Sequence, residues 1–298
     1  KEIPDIYNLP HNDEVYRYFS NGWNGDVFQM GTDSLSAYTK LLKPENFNDL
    51  AAVVSLYRPG PMENGIHLDY AKRKNEGAAI TSLWGTAEET KDTYGLIVYQ
   101  EQVMKICQNA GGLTENEADD VRRAMGKKKA DVLAAWETRM MKGFMGNGAT
   151  EEEAQELWDT LLKFAGYSFN LSHAASYGQT GYISQYLKVM FPMEYWTVAM
   201  KYSDDPKKLK FLSEIFSAKD IKVMPPNVNG SGVEMQSNVD KKTIFWGISS
   251  IKGIGEDTAV QIVKEREANG DYEGFDDFYK RTKFTGSKVK KTSYEALI

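Results

Sequence analysis

The sequence predicts a mainly α chain with a small β element. Apolar residues recur at helical spacing through most of residues 33–219, and Thr-x-x-Glu capping boxes at Thr114 and Thr150 punctuate that run. Alternation in the manner of short strands is confined to a stretch after residue 220. A length of 298 residues, at roughly 150 per domain, predicts about two domains. With 41% hydrophobic and 12% aromatic residues the chain can build a packed core, which excludes the disordered classes.

Residues 1–29 form an irregular lead-in, mixing turn formers (Pro4, Pro10, Asn21-Gly22, Asn24-Gly25) with a short helical pattern around 14–19. Leu35, Tyr38, Leu41 and Leu42 mark a helix over 33–42. Leu50, Val53 and Val54 mark another over 47–56, stopped before Pro59-Gly60-Pro61, which reads as a rigid loop. The stretch 95–106 leads to Gly111-Gly112. Thr114 with Glu117 then starts a helix that Gly126 is expected to end. Leu133, Trp136, Met140 and Phe144 share one face of a helix over 130–144, closed by Gly146-Asn147-Gly148. Thr150 and Glu153 repeat the capping box, and Ala154, Leu157, Trp158, Leu161 and Ala165 form the buried stripe of a helix closed by Gly166. A helix over 172–190 carries Ala174, Ala175, Gly178 and Gly181, small residues that permit close backbone approach, and Pro192 ends it. After a helix over 206–219, residues 221–224, 233–239 and 243–248 read as short strands about a turn at Asp240-Lys241. Helix then resumes. The division follows this change of texture: a helical domain over 1–220, and a β element with further helices over 221–298.

A net charge of −6 excludes a uniformly basic protein that coats nucleic acid, so any phosphate contact has to come from local basic patches. The most apolar stretch, 189–198, is broken by Pro192 and Glu194, far short of the ~20 apolar residues of a membrane span. One cysteine, Cys107, and no charged-then-apolar leader point to a reducing cytoplasm. The dispersed histidines His11, His67 and His173 offer no zinc-ligand spacing. A start at Lys1 and an end at Ile298, inside a helical pattern, suggest an excised piece of a longer protein.

The densest cation cluster is Arg122, Arg123, Lys127, Lys128 and Lys129, with no acid among them. It fits a solvated helix end complementing the macrodipole. It also fits a phosphate site, because Lys128 and Lys129 stand at the next helix start, where cations beside free amides conflict unless an anion lies between them. A second constellation runs through Phe169, Asn170, Ser172, His173 and Tyr177. Asn170 or Ser172 can cap the following helix, and His173 and Tyr177 share a face at i, i+4, where they serve either structure or contact with a phosphate or base. A third is 248–263, where Gly253-Ile254-Gly255 makes a hairpin between two short helices. It resembles the helix-hairpin-helix motif, whose glycines let backbone amides reach a nucleic-acid phosphate; the bland alternative is a tight helical corner, favoured by Glu256-Asp257. No Asp-x-Asp, P-loop or nucleophile elbow occurs. Asp119-Asp120, Asp204-Asp205, Asp276-Asp277 and 151–153 read as exposed helical faces with diverging side chains.

Several strings together resemble the bacterial DNA polymerase III alpha subunit, a C-family replicative polymerase. They are Val27-Phe28-Gln29, Leu56-Tyr57-Arg58-Pro59-Gly60-Pro61-Met62, Val98-Tyr99-Gln100-Glu101-Gln102-Val103-Met104, Arg122 through Lys129, Phe164 through His173, and Ile251-Lys252-Gly253-Ile254-Gly255. The resemblance implies the fingers domain followed by a helix-hairpin-helix motif, in a cytoplasmic DNA-directed DNA polymerase. It implies that Arg122, Arg123, Lys127, Lys128 and Lys129 face the phosphates of an incoming dNTP, with Asn170, Ser172, His173 and Tyr177 as a second nucleotide-side motif. Tyr57, Arg58 and Gln100 would lie near the primer-template DNA, and Lys252, Gly253 and Gly255 against the DNA backbone. Mg²⁺ would be bound by palm carboxylates upstream of this chain, which alone would be inactive. A sliding clamp and other replicase subunits would be partners of the intact protein, and a membrane would not. After Gln29 the family pattern departs, with Met30-Gly31-Thr32 standing where an apolar residue, Glu and Ser are usual. The alternatives are a stand-alone nucleic-acid-binding helical module using 253–255 and the basic tail 281–291, or an inert helical spacer.

Overall fold

The computed structural model describes residues 4–77, 81–127, 130–165, 168–203, 205–218, 220–283 and 291–297. It separates into two compact units, Lys1–Tyr186 and Leu187–Ile298.

The first unit is helical: α1 Asp13–Ser20, α2 Asp33–Leu42, α3 Phe47–Leu56, α4 Pro59–Glu63, α5 Ile66–Glu76, α6 Ala87–Thr90, α7 Gln100–Asn109, α8 Glu115–Lys127, α9 Ala130–Gly146, α10 Glu151–Ala165, and α11 Leu171–Met190, inside which the unit boundary falls. Polar caps start the early helices: the side chains of Asn12, Thr32 and Asn46 accept first-turn amides of α1, α2 and α3. The expected rigid loop at Pro59-Gly60-Pro61 is instead the single turn α4. Pro59 stands at its first position, where φ is already helical and the missing N–H costs nothing. Both capping boxes close reciprocally. Thr114 Oγ1 accepts the Glu117 amide at 3.4 Å while Glu117 Oε2 accepts the Thr114 amide at 2.8 Å. Thr150 and Glu153 do the same at 3.2 and 2.8 Å.

Gly126 does not end α8, which runs on to Lys127. Its neighbours Ala124 and Met125 are buried, holding the last turn down, and Gly126 itself is exposed and helical, so it only weakens the helix. Helices α7 to α10 enclose one core of Val103, Ile106, Cys107, Met140, Phe144, Leu157, Trp158 and Leu161. The small residues of α11 serve close approach, as their spacing predicts. A Cβ on Gly178 would lie 3.4 Å from the Ala51 amide nitrogen, and one on Gly181 3.1 Å from Met30 Sδ.

In the second unit Pro192 stands at the first position of α12 (Pro192–Tyr202), followed by α13 (Asp205–Ala218). A three-stranded sheet comprises β1 Lys222–Met224, β2 Gln236–Asn238 and β3 Thr243–Phe245, in the order β1-β3-β2. β2 and β3 form the antiparallel hairpin around Asp240-Lys241, and β1 joins β3 in parallel. Trp196, Met200, Phe211, Ile215 and Ile244 make one core. Lys188, fully buried, pairs with Glu214 at 2.8 Å beneath the Trp196 ring. Helices α14 (Glu256–Asn269), α15 (Phe275–Lys283) and α16 (Lys291–Leu297) complete the unit around Ile248, Ile254, Ile262, Tyr272 and Phe278. The first of the two helices expected to frame Gly253-Ile254-Gly255 is only a 3₁₀ turn, Ile248–Ser250. There the Ser249 amide and hydroxyl are both bonded to the Val233 carbonyl, at 3.0 and 2.7 Å. Among the described residues no helix is long and apolar enough to cross a membrane.

Candidate nucleotide and nucleic-acid interface

The start of α7 and the start of α11 are held side by side by backbone pairing. Tyr99 and Phe169 form a parallel bridge, in which the Gln100 amide donates to the Phe169 carbonyl at 2.9 Å and the Phe169 amide to the Val98 carbonyl at 3.1 Å. Side chains reinforce it. Gln100 Nε2 donates to the Ser168 carbonyl at 3.3 Å. Glu101 accepts the Asn170 side-chain amide and the Leu171 backbone amide, both at 2.9 Å. Asn170 Oδ1 in turn accepts the His173 amide at 2.8 Å and the Ser172 hydroxyl at 2.6 Å. Asn170 is therefore the cap of α11, and Glu101 supplies the negative charge that a helix start favours. Replacing Asn170 by Ala should cost about 1 kcal/mol of stability, read as a shift in the urea midpoint of the 298-residue chain.

Arg122 reaches the same place from α8. Its NH1 donates to Gln100 Oε1 at 3.3 Å, and its Nε and NH2 lie 2.9 and 2.7 Å from Asp119 Oδ1. Arg123 NH2 lies 2.6 Å from the other Asp119 oxygen. Asp119 was expected on an exposed face with no role. It is instead half-buried and central to the cation cluster, because positions i−3 and i−4 face the two arginines on one helix side. The hydrogen bond from Arg122, with both positive charges, holds the Asp119 carboxyl below the ordinary carboxylate range. The triad is thus complete at neutral pH and comes apart as pH falls through that lowered value. Lys127 is exposed at the end of α8; Lys128 and Lys129 lie outside the described residues.

A row of flat groups runs beside this cluster. The Arg58 guanidinium stands 4.3 Å from the Phe169 ring, Phe169 5.2 Å from His173, His173 4.3 Å edge-on to Tyr177, and Tyr177 5.7 Å from Phe28 in a near-parallel stack. Arg58 Nε donates to the Ser55 carbonyl at 2.7 Å, and burial pulls its guanidinium below its ordinary pKa. Tyr57 packs in another cluster, stacked on Tyr38 at 5.3 Å and edge-on to His67. So Arg58, Gln100, Arg122, Asn170, Ser172, His173 and Tyr177 form one connected set from four segments, with Arg123 tied to it through Asp119. Phe28, Glu101 and Asp119 belong to the set as well, and the sequence alone does not mark them as site residues, whereas Phe169 opens the second constellation. Phe28, Glu101 and Phe169 stand within the recognised strings. Asp119, one turn before Arg122, had only its i−3 spacing to mark it.

Lys252, Gly253 and Gly255 lie in the second unit. Gly253 has φ +96°, a conformation that L side chains rarely adopt. Gly255 caps α14 with no side-chain hydrogen bond, and a Cβ there would meet nothing within 4 Å, so the backbone at this corner is open to approach. The basic tail is less available than its charge suggests. Arg281 is committed to Glu265 and Asp277 at 3.2 and 3.1 Å, to three backbone carbonyls, and to the Tyr272 ring. Lys288 and Lys290 lie outside the described residues. A cavity of about 560 Å³ beside the start of α11 is lined by Glu88, Glu89, Asp92 and Glu101 against Lys91 and Lys105. Its surplus of acid does not suit phosphate. No three His, Cys, Asp or Glu side chains among the described residues are grouped to hold a metal ion. The described residues thus offer no such cluster to a Mg²⁺ ion.

The model of the bacterial DNA polymerase III alpha subunit finger domain matches residues 2–148, and a helix-hairpin-helix motif model matches residues 220–298. DNA polymerase III subunit alpha of Aquifex aeolicus (strain VF5) is 39% identical over 298 residues, covering 99% of this chain and 25% of that protein. The same subunit of Helicobacter pylori (strain ATCC 700392 / 26695) is 37% identical, with 99% and 25% covered, and that of Staphylococcus epidermidis (strain ATCC 35984) 36% identical, with 93% and 26% covered. The chain thus spans about a quarter of the length of the curated relatives it matches. With the finger-domain match over its first half, the helix-hairpin-helix match at its end and relatives of one kind along nearly all of it, the chain belongs to the bacterial DNA polymerase III alpha subunit family.

Proposed function

We propose that this chain is the nucleotide- and template-primer-binding fingers part of a bacterial replicative DNA polymerase, which adds dNTPs to a primer 3′-hydroxyl. The observation that carries the reading is the convergence of Gln100, Arg122, Asn170, Ser172 and His173 at the paired starts of α7 and α11. There the Arg122 guanidinium is held by neutral Gln100 and by the Asp119 carboxylate, beside a row of aromatic faces. Phosphate recognition needs charged donors of fixed geometry, and base recognition needs flat apolar faces; this surface offers both.

In the intact enzyme the primer hydroxyl would attack the α-phosphate of the dNTP, with the metal chemistry supplied by carboxylates outside this chain. Arg122, Arg123 and the lysines at 127, 128 and 129 would balance the charge that builds on the leaving pyrophosphate. Tyr57, Arg58 and Gln100 would face the primer-template. Lys252, Gly253 and Gly255 would meet DNA backbone phosphates in a separate, sequence-independent contact. The domain assignment follows: fingers over 1–220 and the helix-hairpin-helix region over 221–298. By itself the chain is expected to be inert, and primer extension by the purified 298 residues with Mg²⁺ would overturn that.

The test of the nucleotide reading is a pair of titrations in the complete polymerase. Replacing Lys127, Lys128 and Lys129 together by Ala should weaken dNTP binding about tenfold or more, while duplex affinity moves far less. The opposite ranking would favour the stand-alone nucleic-acid module.

A further inference from the structure

The cation cluster already contains an anion, covalently supplied. Asp119 accepts the Nε and NH2 edge of Arg122 with one carboxylate oxygen and Arg123 with the other, at 2.6 to 2.9 Å. That edge of a guanidinium can give a phosphate a two-point grip. The remaining contact of Arg122, NH1 to Gln100 Oε1, is made to a neutral group on a different helix. Its two attachments therefore differ in kind. The bond to Gln100 sets where the guanidinium stands, and the bond to Asp119 covers the face that an incoming anion would use.

A phosphate cannot take that edge while Asp119 keeps it, because a carboxylate and a phosphate oxygen would then crowd at hydrogen-bond distance with like charge. The pairing is partly open to water, with Arg123 60% and Asp119 26% exposed. Pairs of this partly exposed kind are weak, so a strong enough anion can displace one. The displacing power rises with the charge brought to the site. We infer that Asp119 is a displaceable internal counter-ion that holds Arg122 and Arg123 shut against weakly charged anions and yields to a polyphosphate, so that it sets the preference of this face for triphosphates over monophosphates. The inference rests on the nucleotide-binding reading of the same face. Asp119 acts through the arginines and is a specificity-determining residue, not a catalytic one.

The test uses the 298-residue chain, with inorganic tripolyphosphate and orthophosphate as probes, titrated calorimetrically at fixed ionic strength. Asp119→Asn keeps the shape and removes the competing charge. Asp120→Asn removes an equal charge from the adjacent, exposed position and serves as the electrostatic control. Asp119→Asn is expected to tighten orthophosphate about fivefold and tripolyphosphate less, so that the ratio of the two affinities falls; Asp120→Asn should move both alike and slightly. Arg122-dependent binding in which Asp119→Asn matches Asp120→Asn, or weakens both anions, overturns the inference and leaves the nucleotide reading standing. Tripolyphosphate binding that ignores Arg122→Ala, or no binding by any variant, overturns both. A merely structural role for Asp119 would change the melting temperature without changing the affinity ratio.

Discussion

Gly143→Ala is expected to destabilise the helical unit by about 3 kcal/mol or more, one of the two largest losses that a single substitution should cause. A Cβ built on Gly143 would stand 2.0 Å from the Gly111 carbonyl oxygen, 2.8 Å from its carbon and 3.1 Å from its Cα. All three are backbone atoms, so no side-chain rotation relieves the clash, and α9 would have to lift off the turn after α7. That turn has nowhere to go. Gly111 is itself wedged against the Cys107 carbonyl and the Met140 side chain, and Asn147 Nδ2 donates to the Ala110 carbonyl at 2.8 Å. The same core, with Met140, Phe144 and Trp158, carries α8 and with it Arg122. Thermal unfolding should show a drop of about 10 °C. Gly126→Ala is the opposite case, because nothing lies within 4 Å of its Cβ position and the residue is already helical. It should gain about 0.5 to 1 kcal/mol. Equal melting temperatures for the two variants would refute the packing argument.

The helices with local signals were legible in the sequence. The predicted bounds of α2 and α3 hold, and the boxes at Thr114 and Thr150 start α8 and α10, because caps and periodicity act over one or two turns. The misreadings at Pro59-Gly60-Pro61 and Gly126 share one cause. Proline and glycine are helix punctuation only when position and packing agree, and here a first-turn proline and a buried Ala124-Met125 pair decided otherwise. The site was legible in its residue types but not in its wiring. That Glu101 meets Asn170, or Arg58 meets Phe169, joins positions far apart in the chain, and neither spacing nor composition encodes such pairs. Asp119 is the instructive miss. Its i+3 and i+4 relation to Arg122 and Arg123 is a local signal, but it stands before the acid-free run 122–129 and leaves no mark on the charge of that run.

Gln102→Leu is expected to cost about 3 to 5 kcal/mol, although the residue bears no charge and faces no ligand. Its side chain is satisfied on every side. Oε1 accepts the Val98 and Tyr99 amides at 2.7 and 2.9 Å, while Nε2 donates to the Glu89 carbonyl at 2.9 Å and to Thr93 Oγ1 at 2.8 Å. Leucine fills the volume but strands two buried backbone donors, each worth about 1 to 3 kcal/mol when left unmade. The damage falls on the Val98-Tyr99 segment that pairs with Phe169, so the starts of α7 and α11 should separate and Arg122 should lose its Gln100 anchor. Gln100→Ala, two residues away in the same Gln-Glu-Gln string, should behave differently. It removes only contacts to Arg122 and to the Ser168 carbonyl at the site, and should weaken polyphosphate binding while shifting stability by less than about 1 kcal/mol. Urea denaturation alongside polyphosphate titration separates the two roles, one glutamine building the site and the other serving in it. A Gln102→Leu protein that melts like the parent would show that those buried amides had found another acceptor.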